Sequence, residues 1–329
     1  MIKAMQSAIA GLRTHQTKMD VIGNNIANVN TWGYKGKSAN FADMMYQNYI
    51  TGSAGEQTDG ALGGVNTSQI GFGAQVSSIV SDFTVGGRSY TGRPFDCMID
   101  GSGFFIVGGY SNAGFPQGDA SNPYGIKNNG LSVSRVGIFQ SPGGYLTDDQ
   151  GNYVYGYAAD TTNTSHQVPN PNPPGGFTDV THDYYDPNYA RPDTATLVPI
   201  NLNAGLAADG SESYSSYTIG KDGVIVGTVK GTDEQRIVGY IALATVQNTA
   251  GLEQSSGYLY SFGRNVGDIS VGQPDTGSGF VIANNLEMPT VDLATEVSQM
   301  ITTQRGYQAN TKIITVTDQM LEDLVNMKR

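Results

Sequence analysis

Apolar residues recur at steps of three or four through the first thirty positions: Ile2, Met5, Ile9, Leu12, Met19, Ile22 and Ile26, with Gln16 as the polar member of the series. That spacing puts one side chain per turn on a single face and predicts an amphipathic helix with a heptad-like seam. No proline interrupts it, and Gly33 is a suitable stop. A helix over residues 2–29 would run roughly 42 Å at 1.5 Å per residue. Leu293, Val297, Met300, Gln304, Tyr307, Thr311 and Ile314 repeat the pattern near the other end, and Met320, Leu321, Leu324 and Val325 extend it. Pro289-Thr290 reads as the helix start, with Asp292 in the first turn and Lys328 and Arg329 at the negative dipole end. Two terminal helices, each with one stripe, are expected to pair; the alternative is two ordinary surface helices capping a core.

Between the helices the pattern changes period. "AQVSSIVSDFTV", "DCMIDGSGFFIV", "GVIVGTV" and "RIVGYIALATV" are β-branched or alternating and end at Gly, Asp or Asn, which predicts strands. Residues 160–200 hold most of the prolines, in "NPNPPGG", "YYDPNY" and "RPD", and read as an insertion with little regular structure or a small appended domain. The expected fold class is α+β. Residues 1–70 with 285–329 form a helical terminal domain with a Gly-rich connector. Residues 71–155 with 211–284 form a β-rich middle, and 156–210 an insertion.

Composition supports the β-rich middle: 44 Gly, 19 Tyr and only 14% charged residues in a chain of 329. The net charge of −11 argues against a nucleic-acid partner. Residues 1–50 carry five Lys/Arg against two Asp (+3) and residues 290–329 four against five acids (−1), so the middle holds −13. Near-neutral ends suit packing against copies of themselves, and an acidic middle suits water. The single cysteine, Cys97, rules out an intrachain disulfide and reads as a small core residue. The first twenty residues contain no unbroken apolar run of seven, so no cleavable signal is expected. No stretch approaches the ~20 apolar residues of a membrane helix. On these grounds alone the chain reads as cytosolic.

Catalytic and binding motifs are sought in vain. "GYKGKS" at Gly33–Ser38 has Thr31, not Gly, five residues before Gly36, and no apolar strand precedes it. "GSGFF" at Gly101–Phe105 reads as a tight turn before a buried strand. His15 is expected on the polar side of its helix. His182 near Asp183 and Asp186 is weakly metal-like, with a solvated loop as the plainer reading. Asp148-Asp149 reads as a turn, and no Ser nucleophile elbow exists. No catalytic residue, cofactor or metal is expected. A carbohydrate-binding β module, with Tyr184, Tyr185 and Tyr189 as stacking platforms, stays open as another class.

The stretch "GNNIANVNTWGYKGKSANFADMM" closely resembles the N-terminal signature of the bacterial flagellar axial proteins, and "NNLEMPTVDLATEVSQMITTQRGYQANTKIITVTDQMLEDLVNMKR" resembles their C-terminal signature. Pro289-Thr290 departs from the usual Ser-Asn. Within the family, "GGVNTSQIGFGAQVSSIVSDFTVGG", "DCMIDGSGFFIV" and "KDGVIVGTVKG…IALATVQNTAGL" look like the hook proteins, with the distal rod proteins as second reading. The resemblance covers about residues 1–155 and 215–329.

It implies a structural subunit, not an enzyme, whose terminal helices line the inner wall of a helical homopolymer. It also implies export through the flagellar type III apparatus without a signal peptide, and residence in the hook or basal body outside the cell. Rod, hook–filament junction and cap proteins would be neighbours, with no nucleic acid and no membrane insertion. The residues expected to pack subunits are Ile9, Leu12, Met19, Ile22 and Ile26 with Asn24, Asn25 and Asn28 on the first helix. On the last helix they are Leu293, Val297, Met300, Tyr307, Ile314 and Leu321. The asparagines, poor helix formers, are expected either to set register as buried amides or to turn the helix end.

Overall fold

The computed structural model describes residues 2–52, 64–111, 114–116, 122–158, 166–170, 176–180, 196–204, 213–231, 235–274 and 277–327. The chain divides into two compact units: residues 1–30, 35–82 and 291–329 in one, and 31–34 with 83–290 in the other.

The first unit holds both long helices, α1 (Ile2–Ala27) and α2 (Leu293–Asn326). Helix α1 stops at Ala27, short of the expected 29: the Asn28 N–H is shared between the carbonyls of Asn24 and Asn25, the next bond, Val29 N–H to Ile26 O, spans only three residues, and the chain turns. Helix α2 begins at Leu293, later than Pro289-Thr290 suggested. Asp292 is its N-cap and lies outside the first turn: its carboxylate accepts from the Ala294 N–H and the Thr295 hydroxyl. Those two donors hold the Asp292 carboxyl below its ordinary range. Lys328 and Arg329 lie outside the described residues.

Beside α1, β1 (Lys37–Asp43) pairs antiparallel with β4 (Ala74–Ser81), with a bulge at Asn40/Phe41. β2 (Tyr46–Ile50) pairs with β3 (Ser68–Gly71). Gly73 has φ +112, and a Cβ there would stand 3.1 Å from Ser7 and Ala10, so only glycine lets the entry to β4 lie this close to α1.

The second unit is β-rich. Its main sheet runs, in spatial order, Tyr214–Ile219, Val224–Val229, Gln235–Ile241, Tyr153–Ala158, Phe104–Gly108, Ser132–Ser134, Leu259–Phe262 and Leu252–Ser256. The run "GFFIV" has apolar residues at successive positions, as a strand covered on both faces must. Alternate side chains indeed enter different cores: Phe104 and Ile106 join Tyr124, Tyr155 and Tyr240 on one side, Phe105 and Val107 join Phe139, Leu146 and Ile241 on the other. Cys97 is fully buried in the second core, where desolvation pushes its thiol far above its ordinary pKa.

Arg135 and Glu287 form a buried ion pair, Nε to Oε2 3.0 Å, each side chain 1% exposed. Every strong group of the pair is engaged. The guanidinium donates to the carbonyls of Gly101 and Gly103 at 2.6 Å, and Glu287 Oε1 accepts from the Gly86 N–H at 2.8 Å.

The first unit runs to Asp82, twelve residues past 70, and resumes at Val291, six past 285. Residues 74–81 stay with the helices because they pair with β1, and Asn285–Glu287 stays with the β-rich unit because it pairs with Arg88–Tyr90. Part of the 156–210 segment is a hairpin, His166–Asn170 against Gly176–Val180. His182, Asp183, Asp186, Tyr184, Tyr185 and Tyr189 lie outside the described residues.

Candidate subunit-packing surface

Helices α1 and α2 lie side by side and antiparallel. Asn25 meets Glu296, His15 meets Gly306 and Gly11 meets Asn310, so one numbering rises as the other falls. A Cβ on Gly11 would come within 2.7 Å of the Asn310 amide, and one on Gly306 within 2.7 Å of the His15 ring. The backbones approach closely because these positions are glycine.

The face that α2 presents to this seam is mixed, with half-buried Met300, Ile314 and Leu321 beside polar residues. Glu296, Thr303, Asn310 and Thr317 repeat at steps of seven, and Thr303 and Thr317 are its buried residues. Each buried hydroxyl donates to the carbonyl one turn back, Thr303 to Gln299 and Thr317 to Ile313, both at 2.7 Å. On α1 the buried residues are Ala8, Thr14, Ile22 and Asn25. Buried hydroxyls satisfied by their own helix cost little to bury.

Asn25 is the hub. Its amide uses both donors and its acceptor: Nδ2 donates to Lys37 O (2.8 Å) and Glu296 Oε1 (3.1 Å), and Oδ1 accepts from the Lys37 N–H (3.0 Å). One side chain thereby fixes α1 against the start of β1 and the first turn of α2. Asn24 and Asn28 act locally, the Asn28 amide donating to Asn24 O at 2.9 Å and Asn24 Oδ1 at 2.6 Å. Within the chain, Asn25 thus ties α1 to β1 and α2, while Asn24 and Asn28 bond each other at the helix end.

Most large apolar residues of α2 face outward. Leu293, Val297 and Ile301 form one exposed patch at i, i+4, i+8, and Ile313, Val316, Met320 and Leu324 another. Exposed runs of this kind mark surfaces that meet a partner.

Comparison with known proteins gives this surface its context. The family described as "Flagellar basal body rod FlgEFG protein C-terminal" matches residues 282–327, which contain α2, and "Flagella basal body rod protein" matches residues 5–35, which contain most of α1. The chain is 34% identical to the flagellar basal-body rod protein FlgG of Bacillus subtilis (strain 168) over 331 positions, with 100% of both chains covered. The chain belongs to the flagellar axial protein family. It is also 28% identical to the flagellar hook protein FlgE of Borreliella burgdorferi, with both chains covered in full, and 26% identical to FlgE of Escherichia coli (strain K12), covering 99% and 100%. These relatives are structural proteins of the flagellar basal body and hook.

In this axial protein the residues picked out by spacing fall into three environments. Ile22 and Asn25 are buried in the seam, at 2% and 1% exposure. Leu12, Met19, Ile26 and Asn28 on α1 are half-buried, as are Met300, Ile314 and Leu321 on α2. Ile9, Asn24, Leu293, Val297 and Tyr307 are exposed. Leu12 and Met300 stand at different levels of the pair, since Asn310 is the residue at the level of Gly11.

His15 corrects an expectation: it faces Gly306 and meets the Phe41 ring edge-on at 5.8 Å, away from the polar side of the helix. Spacing also missed the β2–β3 hairpin, whose Tyr46, Tyr49, Ile50 and Ile70 are exposed. Lys3 reaches it, donating to Gln47 Oε1 at 2.5 Å and lying 5.2 Å from the Tyr49 ring. The aromatic and β-branched residues of "YQNYI" were the available signal. Among the described residues no group of three or more His, Cys, Asp or Glu side chains could hold a metal ion, and no helix is long and apolar enough to cross a membrane.

Proposed function

We propose that the chain is a self-assembling subunit of the flagellar axial tube, of the distal-rod kind. The assembly half of this reading is carried by the apolar patches on the paired terminal helices. A chain that covers its seam internally and leaves Leu293, Val297, Ile301 and Ile313 outside has surface suited to copies of itself. Head-to-tail contacts that do not close generate a helical tube. The site residues above then belong to the subunit interface, neighbouring rod, hook and cap proteins bound the tube at its ends, and the chain reaches its place by the flagellar export route.

The rod half is supported by length. The alignment with the Bacillus rod protein spans 331 positions for a chain of 329, whereas those with the Borreliella and Escherichia hook proteins stretch to 448 and 434, so the hook proteins carry segments this chain lacks. The hook remains the second reading, favoured by full coverage of the Borreliella hook protein and by the middle segments that resemble hook proteins. Electron microscopy of purified protein under polymerising conditions tests both. Straight, stiff tubes across salt and pH are expected; curved, polymorphic tubes would assign the hook, and failure to form tubes would overturn the assembly reading.

A further inference from the structure

We propose that His15 is a proton-sensitive latch on the α1–α2 pair: neutral imidazole closes the seam against Gly306, and its protonation opens it. The latch concerns the pair within one chain and stands whether or not the chain is a rod subunit.

The seam has no room to spare at this level. A single added carbon on Gly306 would stand 2.7 Å from His15 Cε1, 2.8 Å from Nε2 and 3.2 Å from Nδ1, so imidazole already fills the space facing Gly306. Phe41 of β1 closes the side of the ring, edge-on at 5.8 Å. His15 Nδ1 is buried without a hydrogen-bond partner among the described residues. A proton added at Nδ1 would create a buried N–H with no acceptor.

The charges around it oppose protonation. Lys18, one turn along α1, holds its ammonium 5.6 Å from the Phe41 ring centroid, beside the imidazole. Desolvation, then Lys18, move the His15 pKa below its ordinary value. On α2 the facing group is Gly306, and its neighbour Arg305 is another cation. β4 has no ionisable residue, and on β1 the ionisable residues are Lys37 and Asp43. The Asp43 carboxylate already accepts from the Tyr46 hydroxyl at 2.5 Å.

The sign follows from linkage. A histidine depressed in the paired state binds its proton more readily when the helices separate. The pair is therefore at full strength above the unperturbed pKa, roughly 6.5, and weakens as pH falls below it, levelling off under the depressed value.

The test is amide hydrogen exchange of the full-length monomer between pH 8 and 5, corrected for the intrinsic pH dependence of exchange. Protection of α1 and α2 amides should fall on acidification, about tenfold for each unit of depression, while the strands of the β-rich unit keep theirs. His15→Gln should keep the pair protected through the same range. Lys18→Gln should shrink the loss. His15 itself is read by NMR of its ring proton in the parent protein, which needs no variant. Titration below the ordinary histidine value supports the latch. Titration at or above it, or the same acid loss in His15→Gln, overturns it.

Discussion

The Asn25 amide donates to Glu296 Oε1 at 3.1 Å and to Lys37 O at 2.8 Å, so a single uncharged side chain joins α1 to β1, twelve residues on, and to α2, 271 residues on. Buried threonines interrupt the apolar contacts of the seam, so directional bonds add to its register. Asn25→Ala leaves the Lys37 backbone groups and the Glu296 carboxylate short of a partner, at a cost of about 1–3 kcal/mol. Asn24→Ala, on an exposed position, should stay within about 0.5 kcal/mol. Thermal unfolding of the helical signal compares the two, and equal losses would show that Asn25 is no hub.

Gly11 and Gly306 are both mid-helix glycines on the seam, and they should respond differently to alanine. Alanine gains about 1 kcal/mol of helix propensity at either site. At Gly11 the crowding atom is the end of the flexible Asn310 side chain, 2.7 Å away, which can rotate aside. At Gly306 it is the His15 ring, with Phe41 on its edge. Gly11→Ala should be neutral or stabilising and Gly306→Ala destabilising by about 1–3 kcal/mol. Urea denaturation of both variants decides, and stabilisation by Gly306→Ala would mean the ring has space.

Ile301 is 54% exposed in the single chain, so Ile301→Asp should leave folding nearly unchanged. If copies cover it, the buried charge should raise the critical concentration for assembly by tenfold or more, since each 1.4 kcal/mol is tenfold. Sedimentation of polymer against monomer measures this. Polymers forming at the parental concentration would take Ile301 out of the interface.

Arg135 and Glu287 are each 1% exposed and fully bonded, which makes either partner costly to remove alone. Arg135→Met strands a carboxylate and should destabilise the β-rich unit by about 3–5 kcal/mol, while Arg135→Met with Glu287→Leu should recover part of that loss. A double-mutant cycle in urea gives the coupling, and additive losses would mean that the two charges do not depend on each other.

Cys97 is fully buried and its thiol is pushed up by desolvation and the adjacent Asp96. Native protein should resist a thiol-specific alkylating reagent at pH 8 and react fully once unfolded. Rapid native labelling would contradict its place in the core.

The existence of both helices, the strands at residues 97–108 and 224–246, and the core position of Cys97 follow from the order of residues alone. Each depends on local periodicity, which acts over a few residues and survives any tertiary arrangement. The family, too, was legible in the runs around Asn25 and Gly306. What only the tertiary structure decided is which face of each helix turns inward. Amphipathic spacing marks the face richest in apolar side chains and assumes that the same chain covers it. Here the intrachain partner is selected by closeness: Gly11 and Gly306 admit the opposing backbone, Asn25 bonds across, and buried threonines satisfy themselves. Leu293, Val297 and Tyr307 lie off the stripe that meets α1 and are left exposed in the single chain. His15 reads as a surface residue by spacing and becomes a seam residue because Gly306, 291 positions later, provides a hollow its size. Periodicity carries no information about contacts between positions that far apart; those depend on the close approach of two particular backbones.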